Sequence, residues 1–306
     1  MVFFQKMVAL QAQLFLLLVV GFVCRKIKLI ELSGRKTLSN LLINVILPCN
    51  IIASFTGSIS VTPQFFTNCA VVLLISALTQ VFAVFISKPL FRRFPLERKN
   101  IMTYAMICSN SSFIGLPLAE ALFDNLGVMY TAIFQIPLRF QMWTSGLSLF
   151  ARTKSTWKEN LKKLALHPCI IAVFLGLGLM VFGLKVPGVL GSTVSALSRC
   201  TTPVSMLVIG SILADTDMKT AFAGPVLYCS FLRLIAFPLF LYAVLTPLQL
   251  DPTIVGINVL LGAVPAGNTT AILADKYDCD PKFASQIVFT STLLSLITLP
   301  IISFLL

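Results

Sequence analysis

Gly262-Ala-Val-Pro-Ala-Gly-Asn-Thr-Thr-Ala-Ile-Leu-Ala-Asp275 lies inside a hydrophobic segment, 252–275, long enough to cross a bilayer, yet its centre is wrong for a plain membrane helix. Pro265 has no backbone N–H, and its ring clashes with the preceding turn. Gly267 admits unusual φ/ψ. Asn268, Thr269 and Thr270 are strong helix-starting side chains. The pattern predicts a helix that stops near Pro265 and restarts near Asn268. In lipid, interrupted backbone survives only where protein buries it or water reaches it. The stretch therefore marks a candidate site within the membrane.

The composition agrees with that setting. Apolar residues make up 57% of the 306 and charged residues 11%, with a mean hydropathy of +0.94. Soluble domains carry roughly 25% charged residues. The apolar run Met7–Cys24 is followed by basic residues and shows no clear cleavage site, so it reads as a spanning helix rather than a leader. The eight Cys form no C-x-x-C pair, and the single His is His167. No metal site is expected, and the Cys read as small buried hydrophobes. There is no H-E-x-x-H motif, no paired Asp-rich motif, no G-x-S-x-G elbow and no P-loop. Neither an enzyme nor a cofactor is expected.

A membrane-crossing helix needs about 20 mainly apolar residues. Ten segments qualify, at roughly 7–24, 37–56, 67–87, 100–123, 127–150, 165–183, 190–213, 222–246, 252–275 and 283–305. The net charge of +12 is not spread over a face. Fifteen of the 23 Lys and Arg fall in three short clusters between apolar runs, Arg25–Lys36, Lys88–Lys99 and Arg152–Lys163. This is the positive-inside pattern, and no nucleic-acid partner is expected. The loops Asp215–Lys219 and Lys276–Lys282 fall on the same side and raise its count to eighteen. Only Lys6 and Lys185 fall on the other. The basic loops are therefore expected to be cytoplasmic, with both termini outside a plasma (inner) membrane.

Five helices on each side of a basic loop, 152–164, divide the chain into halves 1–151 and 165–306. An odd number per half means that the second half enters the membrane inverted. A faint internal repeat supports this. Gly21-Phe-Val-Cys-Arg-Lys-Ile-Lys28 is similar to Gly178-Leu-Met-Val-Phe-Gly-Leu-Lys185, and Leu47-Pro matches Thr202-Pro. Helix four carries Ser109-Asn-Ser-Ser-Phe-Ile-Gly-Leu-Pro117, and its counterpart, helix nine, carries Pro265. Such paired interruptions are the best sequence pointer to a transporter binding site. The expected hinges are Gly115 and Pro117 in one helix, and Pro265 and Gly267 in the other. Each break starts a second half-helix whose free N–H groups and positive dipole end lie near the midplane. Two such ends make an anion site. Asn110, Ser111 and Ser112 line one crossing, and Asn268, Thr269 and Thr270 line the other.

At these residues the chain resembles the auxin efflux carrier family, in its bacterial malate or malonate permease branch. The strongest match is Ala263-Val-Pro-Ala-Gly-Asn-Thr-Thr-Ala-Ile-Leu-Ala-Asp-Lys-Tyr277, followed by Ala284-Ser-Gln-Ile-Val288 and Ser291-Thr-Leu-Leu-Ser-Leu-Ile-Thr-Leu-Pro300. Met142-Trp-Thr-Ser-Gly146 and the run from Thr202 add support. The resemblance implies an all-α polytopic membrane protein of ten transmembrane helices in a five-plus-five inverted repeat, with helices four and nine crossing at Pro117 and Pro265. It implies a secondary transporter that moves a small organic anion, a mono- or dicarboxylate such as malate or malonate. It also implies elevator-type alternating access, a homodimer in membrane lipid, and Asn110 and Asn268 as substrate-binding amides. The long central loop of plant members is replaced by Arg152–Lys163, which weighs against auxin itself.

Four charges remain within the spans. A charge there is costly and functional by default. Arg139, in Gln135-Ile-Pro-Leu-Arg-Phe-Gln141, reads either as a second anion contact, since Arg grips carboxylates bidentately, as an ion-pair partner of Glu120, or as a snorkelling side chain. Glu120 is the one acid well placed for coupling, because Asp124 is expected at the outer surface. Arg233 reads as structural or gating, and Arg199 as reaching the outer interface. His167 reads as an interfacial residue before Pro168. The competing function is a sodium-coupled organic-anion symporter of the bile-acid-symporter type. Its cation sites need clustered acids or polar groups in the core, and core acids are nearly absent from this sequence.

Overall fold

The computed structural model describes residues 2–55, 62–146, 148–150, 159, 162, 165–184, 186–215 and 221–306. Apart from Glu159 and Lys162, the expected basic loop 152–164 lies outside these residues. So do Lys185 and Lys219.

Away from water, a helix satisfies backbone N–H and C=O groups within one segment, and the described chain is helical almost throughout. Its helices are α1 (Val2–Lys26), α2 (Leu32–Leu41), α3 (Leu47–Phe55), α4 (Pro63–Leu90), α5 (Leu96–Ile107), α6 (Leu116–Gln141), α7 (Pro168–Val181), α8 (Gly188–Ser198), α9 (Thr201–Leu213), α10 (Gly224–Phe231), α11 (Phe237–Leu245), α12 (Pro252–Ala263), α13 (Thr269–Lys276) and α14 (Pro281–Ser303). No strand is present among the described residues. Five stretches are long and apolar enough to span a membrane: Leu32–Phe55, Pro63–Leu90, Gly188–Leu213, Gly224–Leu248 and Pro281–Ser303. α7 and α12 are shorter apolar helices. Along α4, Leu74, Leu78, Val81 and Phe85 form an exposed apolar stripe at helical spacing.

Wide π-turns occupy Leu42–Ile46, Ser111–Gly115, Met142–Gly146 and Leu232–Ala236. Three of them end two residues before a proline, namely Pro48, Pro117 and Pro238. A proline cannot donate to the carbonyl four residues earlier, and its ring crowds that carbonyl. Here that carbonyl belongs to Asn44, Phe113 or Leu234, the middle residue of each wide turn. Opening the turn accommodates the ring without breaking the helix. The expected break at Gly115–Pro117 is corrected on this ground. Both residues lie in continuous helical chain running from Ser111 into α6, and the chain leaves helical geometry earlier, at Cys108–Asn110.

The expected gap between helices four and five is a kink inside α6, at Phe123 (φ −130°, ψ 15°) and Asp124 (φ 51°, ψ −145°). The kink seats Gly127 against the Ala119 carbonyl, where a Cβ would collide.

Contacts divide the chain into two units, and each draws on both halves of the sequence. The first comprises Met1–Ala70, Ser112–Ile133 and Ala165–Asp215; the second comprises Val71–Ser111, Phe134–Leu164 and Thr216–Leu306. In the first unit α1 runs along α9, with Gly210 against the Leu18 carbonyl and Gly21 against Leu207. Small residues permit such approach where lipid gives no hydrophobic drive between helices. Asp215, just beyond α9, receives Arg25 at 2.8 Å and Arg35 at 2.7 Å. α3 packs on α7 and α8. In the second unit α14 packs against α5, α10, α12 and α13. Its exposed ion pair, Arg98 with Asp280 at 3.1 Å, ties the start of α5 to the start of α14.

Candidate functional site

The second unit contains two helix interruptions, and they pair with each other. After α5, Cys108 turns extended (φ −98°, ψ 98°), and after α12, Val264 does the same (φ −65°, ψ 149°). Ser109 and Ala266 then form an isolated antiparallel bridge. Asn110 N–H donates to the Pro265 carbonyl at 2.8 Å, and Gly267 N–H donates to the Cys108 carbonyl at 2.7 Å. Ala266 N–H donates to Ser291 Oγ on α14 at 3.3 Å. Pro265 presents only its carbonyl to this bridge, so its missing N–H costs nothing. Backbone that has left the helix is thus satisfied by protein, as a dry setting requires. The bridge's local two-fold relates Cys108 to Pro265, Asn110 to Gly267 and Ser111 to Asn268.

Four helix ends surround the bridge. α5 and α12 finish there, while the π-turn at Ser111 and α13 at Thr269 begin there. The two finishing ends share one cap. Arg233 is 3% exposed and donates from Nε to the Val264 carbonyl (3.1 Å), from Nη1 to Met106 (3.0 Å) and from Nη2 to Leu261 (3.4 Å). Its guanidinium also sits over the Phe237 ring at 5.5 Å. The two beginning ends carry the expected polar residues. Asn110 is 4% exposed, and its Nδ2 has no hydrogen-bond partner. The hydroxyls of Ser109 and Thr270 are likewise buried without partners. Asn268 occupies the N-cap position of α13, as the sequence predicts, but its side chain makes no capping bond. Asn268 and Thr269 are half-buried.

Arg139 connects to the same place through one intermediary. Its Nη2 donates to Gln135 Oε1 at 2.8 Å, and Gln135 Nε2 reaches the Ser111 carbonyl at 3.5 Å. The side chain is buried rather than snorkelling. Ser112, Gly115, Pro117 and Glu120 belong to the first unit. There Glu120 accepts from Asn50 Nδ2 at 3.2 Å, and the same amide donates to Ser198 Oγ at 3.1 Å. Arg199 and Asp124 are exposed. His167 caps α7, accepting the Cys169 N–H at Nδ1 (3.2 Å).

Several residues went unrecognised in the sequence. Thr79 and Gln80 of α4 line a cleft with Ser109, Arg233 and Met106, too tight to admit a water. Gln80 Oε1 is buried there without a partner. Two adjacent polar residues inside a 28-residue apolar helix were a usable signal. Ser291 carried no such signal, because its role depends on where α14 packs.

An all-helical chain with several membrane-length apolar helices, and a buried backbone bridge joining two interrupted ones, belongs to the class of multi-pass membrane proteins. Residues 7–303 match the model of the membrane transport protein family, the auxin efflux carriers, and the chain belongs to that family. It is 24% identical over 287 residues to an uncharacterized transporter of Methanothermobacter thermautotrophicus, covering 93% of each chain. It is also 21% identical over 290 residues to an uncharacterized transporter of Methanocaldococcus jannaschii, covering 93% of this chain and 94% of that one.

Proposed function

We propose that this protein is a secondary transporter of a small organic anion, a mono- or dicarboxylate of the size of malonate or malate. The observation that carries the reading is the unsatisfied amide of Asn110, buried beside the bridge where two helical segments begin. Helix starts offer N–H groups and positive dipole ends to an anion. A buried donor left unpaired costs about 1–3 kcal/mol, a cost that a bound carboxylate oxygen would remove. Asn268, whose side chain makes no capping bond, supplies a second amide, with Ser111, Thr269 and Thr270 around it. Arg139, held by Gln135, supplies a charge in the same unit.

In this reading the ten helices form a five-plus-five inverted repeat, with halves 1–151 and 165–306, and helices four and nine cross at the bridge. The support for it is that the bridge pairs one interruption from each half of the chain, Ser109 with Ala266. Each contact unit draws on both halves, which suits an elevator in which one unit carries the substrate and the other stays fixed. The protein sits in the cytoplasmic membrane with basic loops inside and both termini outside. The α4 stripe faces lipid or a second copy. Proteoliposomes holding the purified protein should exchange labelled malonate or malate, and Asn268→Ala should slow exchange at least tenfold. Absence of flux across a broad panel of mono- and dicarboxylates would refute the reading.

A further inference from the structure

We propose that Arg233 is the charge that makes the helix interruption select anions. It neutralises the two helix C-termini at the bridge and leaves the two N-termini as the uncancelled field there. This inference rests on the transporter reading above.

A helix end carries about half an elementary charge, positive at the N-terminus and negative at the C-terminus. Four ends meet at the bridge, two of each sign, and by themselves they sum to about zero. The last carbonyls of α5 and α12 are the atoms that bear the negative part. Met106 and Leu261 supply two of them, Val264 adds the next along the chain, and all three point to one guanidinium. A single positive charge therefore offsets the two negative ends. Among the described residues no carboxylate pairs with Arg233. Lysine would supply the same charge but not the same grip, since it lacks the planar fork that reaches three carbonyls at once.

The sequence arranges this placement. Pro238 opens the turn Leu232–Ala236, and Arg233 lies in that turn. Buried Arg233 then serves two ends at once. It holds the interrupted helices together, and it sets the sign of the potential that a ligand would meet at Asn110 and Asn268. The first task is structural. The second predicts a signature that structure alone would not give, namely a dependence on ligand charge at constant ligand shape.

The test uses purified full-length protein and two acids, malonate and succinate, each with its monoamide and diamide. The three members of a series share a skeleton and differ by one charge at each step. Binding is read by calorimetry or by ligand-induced thermal shift. In Arg233→Gln and Arg233→Met, affinity should fall about tenfold for each unit of ligand charge, the Coulomb value for charges about 10 Å apart at an effective dielectric of about 20. The diamide should bind the variants and the wild type alike. Arg233→Lys keeps the charge and loses the fork. It should melt at a lower temperature while keeping the acid-to-amide preference within about threefold, and it remains informative if the neutral variants fail to fold. An unchanged preference in a folded neutral variant overturns the inference and leaves the transporter reading intact. So does a preference lost in Arg233→Lys. A wild type stabilised by neither acid overturns it together with the carboxylate reading.

Discussion

Replacing Asn110 with alanine should separate stability from function. The backbone N–H of Asn110 bonds to Pro265 at 2.8 Å, and alanine keeps that bond. What disappears is a side-chain Nδ2 that is buried and has no partner. Relief of an unsatisfied buried donor is worth about 1–3 kcal/mol. Truncating the side chain gives back roughly 1 kcal/mol of packing. The empty protein should therefore be unchanged or stabilised by up to about 2 kcal/mol, seen as a melting temperature equal to or a few degrees above the wild type. The ligand-bound protein should lose a charge-assisted hydrogen bond of about 1.5–3 kcal/mol. That is roughly ten- to 150-fold in affinity. Thermal unfolding with and without malonate, together with proteoliposome exchange, reads both effects. Functional residues that cost stability in the empty state are a common trade. If empty Asn110→Ala melts several degrees lower, and exchange falls only in proportion to folded protein, Asn110 is a structural residue and the argument from its orphan amide fails.

Other outcomes follow from single contacts. Gly210→Val should weaken the α1 and α9 pair by about 1–3 kcal/mol or more, because its Cβ would enter the Leu18 carbonyl; an unchanged melting temperature would count against that close approach. Asp215→Asn releases both Arg25 and Arg35, partly exposed pairs worth about 0.2–1 kcal/mol each. The loss should shrink in high salt, and a salt-independent loss would show that the ion pairs are not its cause. Pro238→Ala restores the missing N–H and should let the turn at Leu232–Ala236 tighten, moving Arg233 off its carbonyls. Hydrogen exchange at the Asn110 and Gly267 amides should then rise, and unchanged protection there would disprove the proline account of the turn.

How far the site could be read in advance differs between the two interruptions. At Pro265–Asn268 the local chemistry was sufficient: a proline, a glycine and three helix-starting side chains stand together, and α12 and α13 stop and start where they dictate. In the first half of the chain the proline misled. Pro117 follows a helical turn that could widen to absorb it, whereas Cys108–Asn110 contains no residue that forbids a helix. That segment is extended because its partner in the bridge, Pro265 to Gly267, offers hydrogen bonds that a continuous helix would forgo. Such a partner, more than 150 residues away in the chain, cannot be read from local propensity.

Composition, run length and the clustering of Lys and Arg by themselves determined a multi-pass helical membrane protein, because burying backbone in lipid admits few alternatives. The motifs near the C-terminus determined the family and one half of the candidate site. Tertiary structure decided the rest: the register of the bridge, the reach of Gln135 to the Ser111 carbonyl, and the use of Arg233 as a shared cap for two helices. These depend on which helix ends meet. A guanidinium in a membrane helix announces a cost in the sequence, but the carbonyls that repay it come from α5 and α12, and only the packed fold brings them to it.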